Sequence, residues 1–297
     1  VKPAISFVVV TWESLDDLAG LVRSMMEHLP TDDSIELIVV DNASSEDPTE
    51  VAQGWRGPLQ IERLGSNLGF GAASNQGVRM ANAPVTLLCN PDIRLLDDSI
   101  LRLAEFSAER HALVGPRLLW ADGTKQPSSS GPVTGLWPWV GAFTPGSIQP
   151  DWMLVRTEPW RIDRTTEVTW LTGAAIAGPT EILERLGPFD ERIELMSEDL
   201  DLGLRARGAG VAVLFSPDLC AVMHLGGRSL DRRFPDSGRE LAASNRAFAI
   251  RRAYGEGAEK RSRAALSTRL RLRRTVKALL GRDDSAERGE LEALGRR

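Results

Sequence analysis

Over the first hundred residues, unbroken apolar runs alternate with stretches whose apolar positions recur every three or four residues. Ile5–Thr11, rich in β-branched residues, and residues 35–40 read as strands buried on both faces. Residues 59–64 and Val85–Cys89 read as a third and fourth strand. After the first strand, Leu15, Leu18, Val22, Met25 and Met26 share one face of a helix that ends near Pro30. Ser14 and Asp17 have capping-box spacing at its start. Residues 72–80 and 96–110 read as two more helices. This alternation predicts an α/β fold, a doubly wound and mostly parallel sheet flanked by helices.

Residues 121–160 break the pattern. They are rich in Pro, Gly and Ser, carry Trp137, Trp139, Trp152 and Trp160, and are expected to form a long functional or disordered loop. Regular structure resumes at 168–177, with helices at Thr180–Leu186 and from about 198 to 207, and strands at 211–215 and 220–224. Charge divides the chain differently. The whole carries -5, yet residues 251–297 hold 14 Lys+Arg against 7 Asp+Glu, so the preceding 250 residues are strongly acidic. The expected organisation is a catalytic domain over 1–250, with halves at 1–120 and 121–250, and a basic helical tail over 251–297. In that tail Leu272, Val276, Leu279 and Leu280 share one helical face among basic residues. Two readings stand: an interfacial helix on an anionic membrane surface, or a solvated helix. An acidic body without a recognisable nucleic-acid module argues against nucleic acid as a partner.

The hydrophobic content of 42% and charged content of 26% are those of an ordinary globular chain. Cys89 and Cys220 lie in apolar runs and read as buried free thiols. No stretch of about 18 apolar residues occurs, and the N-terminal run is too short for a signal-peptide core. The expected location is cytoplasmic, with peripheral attachment to the inner face of the plasma membrane if the tail binds lipid.

Ligands of doubly wound sheets bind beyond the carboxyl ends of the strands. Asp41 follows the second strand and Asp92 the fourth, so both reach that rim. Asp92 suits Mg²⁺ or Mn²⁺ completed by substrate phosphates, or a turn aspartate. Asp41 suits a nucleobase N–H, or an Asx-turn in Asp-Asn-Ala-Ser. Glu198, Asp199 and Asp201 open a helix, where capping is one use of three carboxylates. Met196, Leu200, Leu202 and Leu204 embed them in apolar sequence, where a carboxyl with raised pKa can serve as a general base. His224 ends a strand and precedes Leu-Gly-Gly-Arg228, a segment suited to backbone and guanidinium contacts with phosphate. Asn67-Leu-Gly-Phe-Gly opens a helix whose N–H groups could face an anion. Ser128–Ser129–Ser130 lacks a nucleophile elbow, and no Walker phosphate loop or dinucleotide fingerprint is present.

Seven segments taken in order resemble the family-2 inverting glycosyltransferases of GT-A fold. They are Val-Val-Val-Thr-Trp-Glu-Ser at 8–14, Val-Val-Asp-Asn-Ala-Ser at 39–44, Asn-Leu-Gly-Phe-Gly-Ala-Ala-Ser-Asn-Gln-Gly at 67–77 and Asn-Pro-Asp at 90–92. Gly-Pro-Phe-Asp-Glu at 187–191, Ser-Glu-Asp-Leu-Asp-Leu-Gly-Leu-Arg-Ala-Arg-Gly at 197–208 and His-Leu-Gly-Gly-Arg-Ser at 224–229 complete the set. The closest flavour is the rhamnosyltransferase-like branch. The resemblance implies a nucleotide-diphosphate sugar donor, dTDP-rhamnose in that branch, and a glycan or polyprenyl-diphosphate-linked acceptor. It implies Asp199 as base with Glu198 beside it, and Asp92 and His224 as metal ligands. Thr11, Glu13, Asp41, Asn67, Asn90 and Arg228 would lie on the donor, and Asp201 on the acceptor. The Trp-rich stretch at 127–160 has no counterpart in the resemblance, and Trp137 and Trp139 are expected on the acceptor by aromatic stacking on sugar or lipid. Two departures stand out. Asn90 replaces the first aspartate of the usual metal motif, and Trp12-Glu13 replaces the usual Tyr-Asn. A nucleotidyltransferase and a non-catalytic sugar-nucleotide-binding protein are the alternative functions.

Overall fold

The computed structural model describes residues 3–193, 196–226 and 238–295. β1 (Ile5–Thr11), β2 (Ile35–Asp41), β3 (Leu59–Arg63) and β4 (Val85–Cys89) lie parallel in the order β3-β2-β1-β4. α1 (Leu15–His28), α2 (Thr49–Ala52) and α3 (Phe70–Met80) are their crossovers. β1 and β2 are buried at every position, as their largely apolar runs require, and the polar Ser6 and Glu36 within them bond each other at 2.6 Å. Alternate residues feed opposite layers. Phe7 and Val9 pack with Leu18, Leu21 and Met25 of α1, while Val8 and Val10 pack with Ala73 and Val78 of α3.

Beyond β4 come β5 (Ile93–Leu95), α4 (Ser99–Arg110), β6 (Leu113–Gly115) and β7 (Arg117–Leu119). β8 (Ser129–Ser130), α5 (Trp137–Phe143), α6 (Asp151–Thr157), β9 (Thr166–Glu167) and β10 (Trp170–Leu171) follow. Then come β11 (Ala175–Pro179), α7 (Thr180–Leu186), α8 (Glu198–Gly208), β12 (Val213–Phe215) and β13 (Ala221–His224). The main sheet has eight strands, continuing from β4 through β11, β6 and β12 to β9. β11 is antiparallel to β4, so the residues that precede β11 lie beside those that follow β4. Backbone bonding continues past the strand ends, with Asn90 N–H donating to the Ala174 carbonyl at 2.9 Å. A second, three-stranded sheet has the order β5-β13-β7 and sets His224 opposite Ile93.

α9 (Gly238–Tyr254) packs on α8, α10 (Glu256–Leu279) on α5 and α9, and α11 (Ser285–Gly295) back onto α9 and α10. A boundary at residue 250 therefore falls inside α9. Part of the tail's positive charge is used internally: Arg274 pairs with Asp284 and Lys277 with Glu287. Leu272, Val276, Leu279 and Leu280 are exposed.

Two local expectations are corrected. Ser14 precedes α1, but its side chain makes no cap hydrogen bond. Its hydroxyl meets Thr11 Oγ1 at 3.0 Å and accepts from the Trp12 N–H at 3.3 Å, tying the end of β1 to the turn instead. The segment 121–160 contains β8, α5 and α6. Each of these helices has seven residues, about two turns, too few for a periodic apolar pattern to show. Cys89 and Cys220 are buried free thiols, as expected.

Candidate active site

Three elements meet where β4 ends. The turn after β4 presents Asp92, which is held from two sides. Its Oδ2 accepts the Gly226 N–H at 3.0 Å, and its Oδ1 lies 3.3 Å from His224 Nε2. Pairing of β5 with β13 brings these residues together across more than 130 positions of chain. Burial pushes the Asp92 carboxyl up, and this is the largest single effect. The His224 contact and the Gly226 N–H outweigh it and hold the group below its ordinary value. On its far side, His224 Nδ1 lies 2.7 Å from Oε1 of the buried Gln126.

The acid pair approaches the same rim on α8. Asp199 Oδ2 accepts the Gly173 N–H at 3.0 Å, one residue from the Ala174 carbonyl that holds Asn90. Two backbone links thus connect the metal-type turn to the acid-type helix. Gly203 allows α8 this close approach, because a Cβ there would lie 2.5 Å from the Thr169 carbonyl oxygen. Glu198 is 7% exposed, and its Oε2 has no hydrogen-bond partner among the described residues. Burial pushes both carboxyls up, and the charge of Asp199 pushes Glu198 further. Backbone N–H groups and Arg246 act in the opposite sense on Asp199. Two close carboxyls in such surroundings hold a proton between them well above the usual carboxylate range.

The other end of the rim is built by β1 and β2, whose register sets Thr11 opposite Asp41. Thr11, Glu13, Ser14, Ser44 and Ser45 are among the residues that line a cleft of ≈ 220 Å³. The Glu13 carboxylate accepts from the Ser45 N–H at 2.8 Å and its hydroxyl at 2.7 Å, so it is turned onto that loop. Asp41 is fully buried. One oxygen accepts the Ser44 N–H at 3.0 Å, as in an Asx-type turn, and the other accepts Arg63 Nε at 2.9 Å. It is not among the residues that line the cleft, and its two bonds tie the end of β2 to the 44–45 loop and to β3. Asn67 Oδ1 accepts from Asn42 Nδ2 at 2.9 Å and from the Gly69 N–H at 3.0 Å. Gly69, at φ 91°, opens α3.

Asp201 is not brought into the pair. It is 1% exposed and bound by Arg205 at 2.6 Å and Arg252 at 3.6 Å, which anchors α8 to α9. Trp137 and Trp139 lie on α5, Trp139 stacked on Phe143 with ring centroids 6.4 Å apart, and α5 is packed against α10. Arg228 lies outside the described residues.

Residues 6–148 match the family model described as glycosyl transferase family 2. The match covers just under half of the chain, its N-terminal half, and the chain is similar to that family. It is 25% identical over 229 residues to the O-antigen biosynthesis protein RfbC of Myxococcus xanthus, covering 75% of this chain but only 17% of that protein's length. It is 24% identical over 270 residues to the N-acetylglucosaminyl-diphospho-decaprenol L-rhamnosyltransferase of Mycobacterium tuberculosis, covering 82% of each. Among solved structures it resembles the Pyrobaculum calidifontis mannosyltransferase PcManGT in complex with GDP-Man and Mn²⁺. That match has a TM-score of 0.60 at 15% identity and covers 99% of this chain and 85% of the other. S. aureus TarS 1-349 in complex with UDP-GlcNAc matches with a TM-score of 0.59 at 17% identity, covering 98% and 79%. At these identities the structures establish the fold, which is GT-A.

Three residues of this glycosyltransferase escaped the sequence reading. Gln126 sits in a segment read as loop, and only the fold brings it to His224. Gly173 acts through its backbone, which leaves no side-chain signal. Arg246 lies on α9, where one arginine among many has no distinguishing pattern in sequence.

Proposed function

We propose that this glycosyltransferase transfers L-rhamnose from dTDP-rhamnose to a polyprenyl-diphosphate-linked N-acetylglucosamine acceptor, with inversion, in the synthesis of a cell-wall or surface polysaccharide. The carrying observation is the Glu198–Asp199 pair, proton-retaining and held by Gly173, two backbone links from Asp92 and His224. The likeness to the mycobacterial rhamnosyltransferase over 82% of both chains supports the choice of donor and acceptor.

In this reading residues 1–120 hold the donor, and 121–250 hold the acceptor and the base. Thr11 and Glu13 line the nucleotide end of the cleft, with Asp41 and Asn67 holding its walls. Asp199 accepts the proton of the acceptor hydroxyl. The hydroxyl oxygen bonds to the anomeric carbon as the bond from that carbon to the diphosphate oxygen breaks. Glu198, holding a proton, keeps the pair from carrying two negative charges. One displacement on one face inverts the anomeric configuration. Trp137 and Trp139 belong to the wall on the acceptor side. The exposed apolar face of α10 supports attachment to an anionic membrane surface. No helix among the described residues is long and apolar enough to cross a membrane.

A divalent cation, Mg²⁺ or Mn²⁺, fits Asp92 and His224. With Gln126 Oε1 taking the Nδ1 proton, the His224 Nε2 faces Asp92 Oδ1, and a second proton or a cation is needed there. No group of three His, Cys, Asp or Glu able to hold a metal occurs among the described residues. Donor phosphate oxygens and water would therefore complete the shell. When bound, the cation offsets the charge of the departing diphosphate.

The test is a thermal-shift panel of nucleotide sugars with and without Mn²⁺, followed by transfer assays on the stabilising donor. Stabilisation by dTDP-rhamnose and transfer to a lipid-diphosphate N-acetylglucosamine are expected. Selection of another donor would overturn the sugar assignment, and an unimpaired Asp199→Asn variant would overturn the base.

A further inference from the structure

The acceptor side of the molecule carries more positive charge than its own carboxylates neutralise. α9 runs along α8, with Ser197 Oγ 3.4 Å from the Ala242 carbonyl oxygen. One turn further on, α9 brings Arg246 within electrostatic reach of Asp199. Arg246 is partly buried and makes no direct ion pair among the described residues.

The C-terminal helices add a second set. Arg269 Nη2 of α10 lies 2.5 Å and Arg273 Nη2 3.6 Å from Glu158 Oε1, and Arg161 Nε lies 2.5 Å from Glu158 Oε2. One buried carboxylate thus faces three guanidiniums. Glu290 of α11 joins the two sets, within electrostatic reach of Arg239, Arg246, Arg269 and Arg273. Arg239 packs directly against Gly289. Outside the acid pair, Glu158, Glu287 and Glu290 stand among Arg161, Arg239, Arg246, Arg269, Arg273 and Lys277, three carboxylates to six cations. Burial pushes Arg269 down and the charge of Arg273 adds to it, while Glu158 acts in the opposite sense.

Such a cluster favours an anion with several oxygens, which guanidinium forks bind in bidentate fashion. The donor diphosphate has its own provision on another element, the small sheet that carries Asp92 and His224. The arginines come instead from α9, α10 and the 158–161 turn, and Arg246 connects them, through Glu290, to Asp199. We infer that Arg246, Arg269 and Arg273 bind the diphosphate of a lipid-linked acceptor and thereby hold its sugar hydroxyl toward Asp199. This rests on the acceptor reading above and assigns to α10 a part in substrate binding.

The test is calorimetric titration of the full chain with farnesyl diphosphate, farnesol, phosphatidylglycerol vesicles and the nucleoside diphosphate selected by the thermal-shift panel. Farnesyl diphosphate is expected to bind and farnesol not. Arg246→Gln and the half-exposed Arg273→Gln should each weaken farnesyl diphosphate by about tenfold, the loss of one charge-assisted hydrogen bond, and leave the nucleotide unaffected. In transfer assays the same variants should raise KM for a diphosphate-linked acceptor and not for its alkyl glycoside. Unchanged farnesyl diphosphate affinity in both variants would overturn the assignment, as would parallel loss of nucleotide binding. Binding of the vesicles but not of farnesyl diphosphate would assign the cluster to bilayer headgroups and overturn it as well. Absence of transfer from every nucleotide sugar, with farnesyl diphosphate binding intact, would sink the transfer reading and leave this site standing.

Discussion

Two glutamates in this molecule are equally buried and oppositely treated. Glu36, 4% exposed on β2, accepts from Ser6 Oγ at 2.6 Å, Gln60 Nε2 at 2.7 Å, Asn82 Nδ2 at 2.8 Å and the Asn82 N–H at 3.1 Å. Glu198, 7% exposed on α8, leaves Oε2 without a partner among the described residues and has a second carboxyl beside it. Burial raises both. At Glu36 the four hydrogen bonds more than reverse it and lower the group, whereas at Glu198 the Asp199 charge adds to it. Burial of a carboxyl therefore does not mark a site. Unsatisfied burial does, because a protein that gains nothing from the missing partners is holding a place for a proton or a ligand.

The largest effect expected from this contrast is at Asp199. Asp199→Asn should lower kcat by about 10² to 10⁴, the usual contribution of a general base, while far-UV circular dichroism stays unchanged. Next comes Glu36→Ala, which strands several buried donors and should cost about 3 kcal/mol or more in urea denaturation with little change in kcat per folded molecule. Glu36 also predicts an acid limb. Its folded value is lowered, so its stabilisation is present above the unfolded carboxylate value and lost as the pH falls through the folded one. Glu36→Gln should flatten that limb.

Smaller effects sharpen the contrast. Gln126→Leu removes the partner of His224 Nδ1 and should weaken Mn²⁺ binding by about 10- to 100-fold in a titration. A variant with wild-type affinity would deny Gln126 any part in orienting the ring. Glu198→Gln should stabilise the fold by about 1 kcal/mol, and only above about pH 4. The folded state holds this proton more tightly than the unfolded state, so the wild type loses stability as the pH rises from the unfolded value to the raised folded one. Melting temperatures of the two proteins should therefore converge in acid and separate toward neutrality. Parallel curves would place no shifted proton at Glu198.

The first 120 residues were legible because their signals are local. Continuous apolar runs marked β1, β2 and β4, and helical periodicity marked α1 and α3. The residues from 121 to 250 were less legible. Asp201 shares a helix turn with Glu198 and Asp199, yet Arg205 and Arg252 bind it and turn it to scaffold work. Asp41 stands at the predicted rim, and its carboxylate accepts from Arg63 and the Ser44 N–H. In both cases spacing in sequence was right and the direction of the side chain was not encoded by it.

The sequence by itself determined the α/β alternation, the family resemblance and the acid pair, because hydrophobic period and short motifs are carried by neighbouring residues. Only the tertiary structure decided how the pieces meet. The antiparallel insertion of β11 beside β4 places Gly173 and Ala174 at the Asn90–Asp92 turn, and the pairing of β5 with β13 sets His224 against Asp92. The packing of α9, α10 and α11 onto the body gathers arginines that are scattered along the chain. These contacts join residues far apart in sequence, and strand order and helix docking, rather than local pattern, determine them.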